Sequence, residues 1–271
     1  MSIYFAEKKL PEIKKAIEDN AVLLLPLGQT EQHGPHLQVG CDSIIADRVA
    51  EAVAKKMSAE FPVLVMPTIP YGYVPKAVQN WPGVFRIRWD VMINYIADVL
   101  VSAAEMGFKK IIIISTHGPH GDVARLAARD VFDRTGVGVV VSIPHVMCGK
   151  QFGKIRKSKL GGTSHACEYE TSLLMHFGYP VDLTGLDDRD SVKVINEWVA
   201  GDMLNGSGKV SWSTWAMQIS ETGVYGDASC SSAETGRKIF EAIVDEYSRL
   251  LRFVREQQSP VQSFPVFPRS W

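Results

Sequence analysis

Glu31, His33, His36 and Asp42 fall within twelve residues, in a segment that reads Gly28-Gln29-Thr30-Glu31-Gln32-His33-Gly34-Pro35-His36-Leu37 and closes on Gly40-Cys41-Asp42. Carboxylates and imidazoles at that density form a ligand set for divalent ions. Glu31 and His33 stand at i and i+2, so on an extended segment they point to opposite sides. Each can then face one of two adjacent ions while the Asp42 carboxylate bridges them. A lone histidine would read as a surface loop residue and Asp42 alone as a helix cap, but four donors together favour metal.

Two further segments carry the same chemistry. Lys110-Ile-Ile-Ile-Ile-Ser-Thr-His117-Gly-Pro-His120-Gly-Asp122 delivers a histidine just past an apolar run, and His117 is therefore expected among the ligands. Asp122 and His120 open the next helical segment, where capping and complementing the helix dipole account for them better than direct ligation. In His165-Ala-Cys-Glu168-Tyr-Glu170, a helix beginning at His165 would put His165 and Glu168 on one face at i and i+3 and leave Glu170 off it. That pair could add a carboxylate to a metal and a histidine to a proton transfer, although capping from Thr163-Ser164 serves equally as an account of the acidic first turn.

What must position these residues is an alternation of short apolar runs with segments of helical period. Strands are predicted over 21–27, 62–67, 110–115 and 137–143, and helices over 42–58, 90–106 and 120–135. This is the pattern of an α/β fold with a buried, mostly parallel sheet, in which loops leaving the carboxyl ends of strands form the ligand crevice. Beyond 143 come a basic loop over 150–159, a helix over 165–177, a Gly- and Trp-rich stretch over 205–226 and a long helix over 232–256. The expected organisation is one domain over 1–257, followed by an extended arm over 258–271 that carries three prolines.

With 271 residues, 46% of them hydrophobic, the chain can fill a large core. The net charge of −1 supplies no field for nucleic acid or anionic membrane. Four scattered cysteines without a CxxC pair suit a reducing compartment, and no run reaches the ~20 apolar residues of a membrane span. A cytoplasmic protein acting on a small molecule is expected, without nucleic-acid or membrane partners.

Together, GQTEQHGPHL with GCD, STHGPHGD, HACEYETS and ETGVYGDAS resemble the creatininase (creatinine amidohydrolase) family, whose segments read GSxEQHGPHLPxxTD, NGHGGN, HAGExETS and GxxGDP in the same order. The resemblance runs from about residue 20 to residue 250. It implies a three-layer α/β/α sandwich, assembled as a homo-oligomer with a hexamer favoured, and two divalent ions such as zinc, manganese or iron. Carried over residue by residue, Glu31 and His117 would hold one ion, His33 the other, and Asp42 would bridge them. Creatininase itself completes the second ion with a Glu two residues after the strand-end His, where this chain has Pro119. Relatives without that residue use the Glu of HAGE, which makes Glu168 the implied replacement. His165 aligns with a catalytic histidine and Glu170 with an acid that assists it. Val78 stands where a substrate-facing His is often found, and Val84 replaces a Thr, so the departures fall on the substrate side.

Two ions lower the pKa of a shared water towards neutrality and polarise a carbonyl, and His165 with Glu170 would protonate the departing nitrogen, assistance worth ~10² to 10⁴ in rate. His120, Trp81 and Tyr73 are expected to contact substrate, with Tyr71, Trp212 and Trp215 as further wall candidates. The expected reaction is hydrolysis of an amide C–N bond in a small polar cyclic substrate. Ring-opening of a cyclic keto-polyol is the close rival, and a non-catalytic metal-binding oligomer the distant one.

Overall fold

The computed structural model describes residues 2–76, 78–199, 201–204, 209–210 and 220–257. The expected arm over 258–271, together with Trp212 and Trp215, lies outside them.

Four parallel strands, β1 (Val22–Leu27), β2 (Val63–Val65), β3 (Lys110–Ser115) and β4 (Val139–Ser142), lie in the order β2-β1-β3-β4. Helix α1 (Leu10–Glu18) precedes β1, and α2 (Cys41–Met57), α3 (Trp89–Met106) and α4 (His120–Thr135) form the successive crossovers. Two short helices, α5 (Pro144–Met147) and α6 (Gly149–Ile155), lead to α7 (Glu168–His176), and α8 (Ala233–Glu256) is the last helix among the described residues. The central strands β1 and β3 are buried at every residue, which is why they read as continuous apolar runs rather than alternating ones.

The pleat divides those strands between two cores. Val22, Leu24, Ile112 and Ile114 pack with α2, α7 and α8 on one face. Leu23, Leu25, Leu27, Ile111 and Ile113 pack with α3 and α4 on the other. The result is the three-layer α/β/α arrangement expected from the sequence. No helix among the described residues is long and apolar enough to cross a membrane.

Two local features bring the chemistry-bearing loops together at the carboxyl edge. A Cβ at Gly28 would lie 2.4 Å from Ser43 Cα, so the glycine lets the start of α2 approach the end of β1. Thr116 Oγ1 donates to the main-chain oxygens of Asp42 (2.8 Å) and Leu27 (3.2 Å), tying the end of β3 to both.

One predicted element starts elsewhere. The helix expected from His165 begins at Glu168, because Ala166 adopts φ 52° and His165 pairs in an isolated bridge with Tyr225. A left-handed residue cannot propagate a right-handed helix, so His165 and Glu168 do not share a helix face.

Candidate metal centre

Glu31, His33, Asp42, His117, His165 and Glu170 converge into one buried cluster. Glu31 and His33 come from the loop after β1, Asp42 from the first turn of α2, and His117 from the loop after β3. Glu170 lies in the first turn of α7, and His165 three residues before that helix.

Nδ1 of His117 lies 3.0 Å from Glu31 Oε1 and 3.3 Å from Asp42 Oδ2. Nε2 of His33 lies 3.8 Å from Asp42 Oδ1. Nδ1 of His165 lies 3.5 Å from Glu31 Oε1, and the His33 and His165 ring centroids are 4.4 Å apart. Three sets have all their ligand atoms within 4.8 Å of one another: Glu31, Asp42 and His117; His33, Asp42 and Glu170; Glu31, His33 and His165.

The electrostatics show why this cluster suits cations. Burial opposes ionisation of Asp42, yet the adjacent His117 and His33 imidazoles, when charged, hold its carboxyl far below the usual range. Burial likewise opposes charge on His117, but Glu31 and Asp42 outweigh it and lift that imidazole to about 10. Glu170 is pushed up to about 7, chiefly by burial and by the Asp42 charge. His165 goes the other way, to about 4, through burial and the neighbouring His33. In the protein alone, protons on histidines balance the buried carboxylates. Glu31 Oε2 and His33 Nε2 have no hydrogen-bond partner among the described residues. Buried orphaned lone pairs among three carboxylates fit divalent ions, which would displace those protons.

His165 is oriented by the segment that carries Glu31 and His33. Its Nε2 lies 2.9 Å from the main-chain oxygen of Gln32, an atom that can only accept, and 3.2 Å from Gln32 Nε2. The shorter contact assigns the proton to Nε2 and leaves Nδ1 facing Glu31. The Gln32 amide is itself fixed, donating to Gly223 O at 2.9 Å and accepting from Gly34 N at 2.8 Å. A Cβ at Gly223, which has φ +84°, would lie 2.2 Å from Gln32 Oε1. Reading the sequence by residue type singled out neither Gln32 nor Gly223, although both lie inside the segments that carried the ligands.

Glu168 is engaged elsewhere. Its carboxylate accepts from the main-chain N–H groups of Lys157 and Ser158 at 2.9 to 3.1 Å and belongs to none of the three sets. Because α7 starts at Glu168, it is Glu170, two residues on, that reaches His33 and Asp42. Asp122 is exposed and pairs with Arg125 at 2.7 Å, in keeping with a helix-end role. His36 packs inwards, with Nε2 2.9 Å from Thr171 Oγ1.

The expected substrate contacts are distributed differently. His120 is fully buried, edge-on to His117 with centroids 4.5 Å apart, and neither ring nitrogen has a hydrogen-bond partner among the described residues. Tyr73 packs against the core under α3 and α4, and its N–H faces Met92 Sδ. Trp81 joins Val74, Val78, Val84 and Tyr225 in a small apolar cluster, and the Tyr225 ring lies 6.1 Å from that of His165. Tyr71 is exposed against Phe85.

Comparison with known proteins follows the same lines. The family model described as creatinine amidohydrolase matches residues 6–251. The chain is 30% identical to the mycofactocin precursor peptide peptidase of Mycobacterium tuberculosis over 84% of its length and 83% of the relative's. It is 25% identical to the 3-dehydro-scyllo-inosose hydrolase of Thermotoga maritima over 94% of its length and 84% of the relative's. Among solved structures, a creatinine amidohydrolase (creatininase) superposes with a TM-score of 0.77 at 20% identity, covering 95% of this chain and 99% of the other. A manganese form of creatininase gives 0.75 at 22% identity over 95% and 100%.

Proposed function

The chain belongs to the creatininase family, and we propose that it is a two-metal hydrolase that adds water to a carbonyl of a small polar cyclic substrate and breaks an amide C–N bond. The observation that carries this reading is the buried sharing of Asp42 between one set completed by Glu31 and His117 and another completed by His33 and Glu170. Glu31, Asp42 and His117 would hold one divalent ion, and His33, Asp42 and Glu170 the other. Zinc and manganese suit such mixed carboxylate and imidazole donors. Two ions held there supply Lewis acidity, acidifying water and polarising a carbonyl oxygen.

The chain's own residues carry the protons. His165, with Nε2–H held on the Gln32 oxygen, presents Nδ1 as the base that takes a proton from water as its oxygen bonds to the carbonyl carbon. The same Nδ1 returns the proton to the nitrogen as the C–N bond breaks. Tyr225, with Val74, Val78 and Trp81 behind it, supplies an apolar wall beside His165 that limits bulk water. A peptidase and an amidohydrolase among the relatives support amide chemistry.

A second reading, ring-opening of a cyclic keto-polyol, is favoured by Val78. This buried apolar residue stands where the family pattern often has a substrate-facing histidine, and the resemblance to the inosose hydrolase covers 94% of this chain. Exposed Phe85, Trp89 and Tyr71 support a homo-oligomer, which light scattering would test.

The deciding experiment is elemental analysis of purified protein and of Asp42→Ala, followed by a hydrolysis screen of lactams, formamides and keto-polyols. About two ions per chain, lost in the variant, with amine release from a lactam or formamide, is the expected result. Absence of metal after reconstitution removes the basis of the reading, and acid release from keto-polyols alone transfers it to the second.

A further inference from the structure

The three ligand sets are not independent, because each pair has one residue in common: Asp42, Glu31 or His33. A carboxylate has two oxygens and can serve two ions. An imidazole with one ring nitrogen committed to a hydrogen bond has a single lone pair left and can serve only one ion. Nδ1 of His33 faces the main-chain oxygen of Glu31 at 3.2 Å, which leaves Nε2 as its metal-binding atom. The set of His33, Asp42 and Glu170 and the set of Glu31, His33 and His165 therefore compete for one nitrogen.

His165 is built as a ligand as well as a base. One ring nitrogen hydrogen-bonds a main-chain carbonyl at 2.9 Å while the other faces a carboxylate at 3.5 Å, the arrangement that orients metal-bound histidines. Its ring lies against that of His33, so both imidazoles can reach one ion.

We propose that the second ion has two alternative seats that share His33: a carboxylate-rich seat with Asp42 and Glu170, and an imidazole-rich seat with Glu31 and His165. The inference rests on the two-metal reading above and deepens it. Manganese, a hard ion, takes the carboxylate-rich seat, whereas zinc, which binds imidazole well, takes either. An ion in the imidazole-rich seat occupies the lone pair that His165 uses for proton transfer. Seat choice thereby silences catalysis without loss of metal.

The test is metal stoichiometry by elemental analysis after equilibration with zinc or with manganese, for wild type, Glu170→Gln, His165→Ala and the double variant, each checked for folding by circular dichroism. Wild type and His165→Ala are expected to hold two ions of either metal. Glu170→Gln is expected to keep two zinc ions but only one manganese ion, and the double variant one zinc ion. X-ray absorption at the zinc edge should then read more imidazole per ion in Glu170→Gln than in wild type. Loss of the second zinc from Glu170→Gln as readily as of the second manganese overturns the proposal, as does a double variant that still holds two zinc ions. A wild type that takes up fewer than two ions of both metals overturns the two-metal reading itself, and the seat proposal with it.

Discussion

The main-chain oxygen of Gln32 lies 2.9 Å from Nε2 of His165, so the residue between Glu31 and His33 in sequence also fixes which nitrogen of the proposed base faces them. The loop of proposed ligands and the proposed proton-transfer group are thus one mechanical unit.

Gln32→Ala removes the side-chain bonds to Gly223 and Gly34 that hold this loop in place. Its turnover is expected to fall ~10- to 100-fold, the usual effect of losing an orienting partner behind a site residue, with both metals retained. Nitrogen NMR of labelled His165 should show a mixture of tautomers; an unchanged tautomer would refute the orienting role.

Gly223→Ala places a methyl group against Gln32 Oε1 on a backbone with φ +84°. A stability loss of about 1–3 kcal/mol is expected from the left-handed conformation alone, together with a fall in turnover like that of Gln32→Ala. Chemical denaturation beside steady-state kinetics checks both. Full activity would mean that the loop over 220–226 does not support His165.

Glu168→Gln tests whether the Glu168 carboxylate is structural, apart from the proposed metal ligands. Three contacts from the amides of Lys157 and Ser158 converge on a fully buried carboxylate, and weakening such charge-assisted bonds costs about 1.5–3 kcal/mol. A lower Tm with metal content unchanged is expected. Loss of one ion per chain would restore Glu168 as a ligand.

The histidines at the centre link stability to pH in the metal-free protein. Burial opposes the charge on His117, but Glu31 and Asp42 raise its pKa to about 10; the unfolded value is about 6.5. The folded state then binds the proton more tightly, so the stabilisation is complete below about pH 6.5 and is lost as pH rises through about 10. Glu170, raised to about 7, acts in the same direction at lower pH. Metal must displace these protons, so affinity rises over the interval in which the metal-free fold weakens. Thermal melts of chelator-treated protein from pH 6.5 to 10, with and without added zinc, should show Tm falling without metal and the zinc-induced increment growing. A Tm that rises over this interval without metal would contradict the assignment.

Much of this molecule was legible in its sequence. β1 and β3 announce themselves because strands buried on both faces must be apolar throughout, and α4 occupies the 120–135 span that its apolar period predicts. Glu31, His33, Asp42 and His117 were marked by their density at strand ends, where a parallel sheet opens its crevice. Periodicity could not fix where α7 begins, since the left-handed turn at Ala166 is a backbone choice imposed by the bridge between His165 and Tyr225. Moving that boundary by three residues places Glu170, rather than Glu168, beside His33 and Asp42. The contact between Gln32 and His165 likewise spans 133 positions. Local spacing carries no information about such a pair; it exists because the parallel sheet and the packing of α2 and α7 on one face bring two distant loops to a single edge.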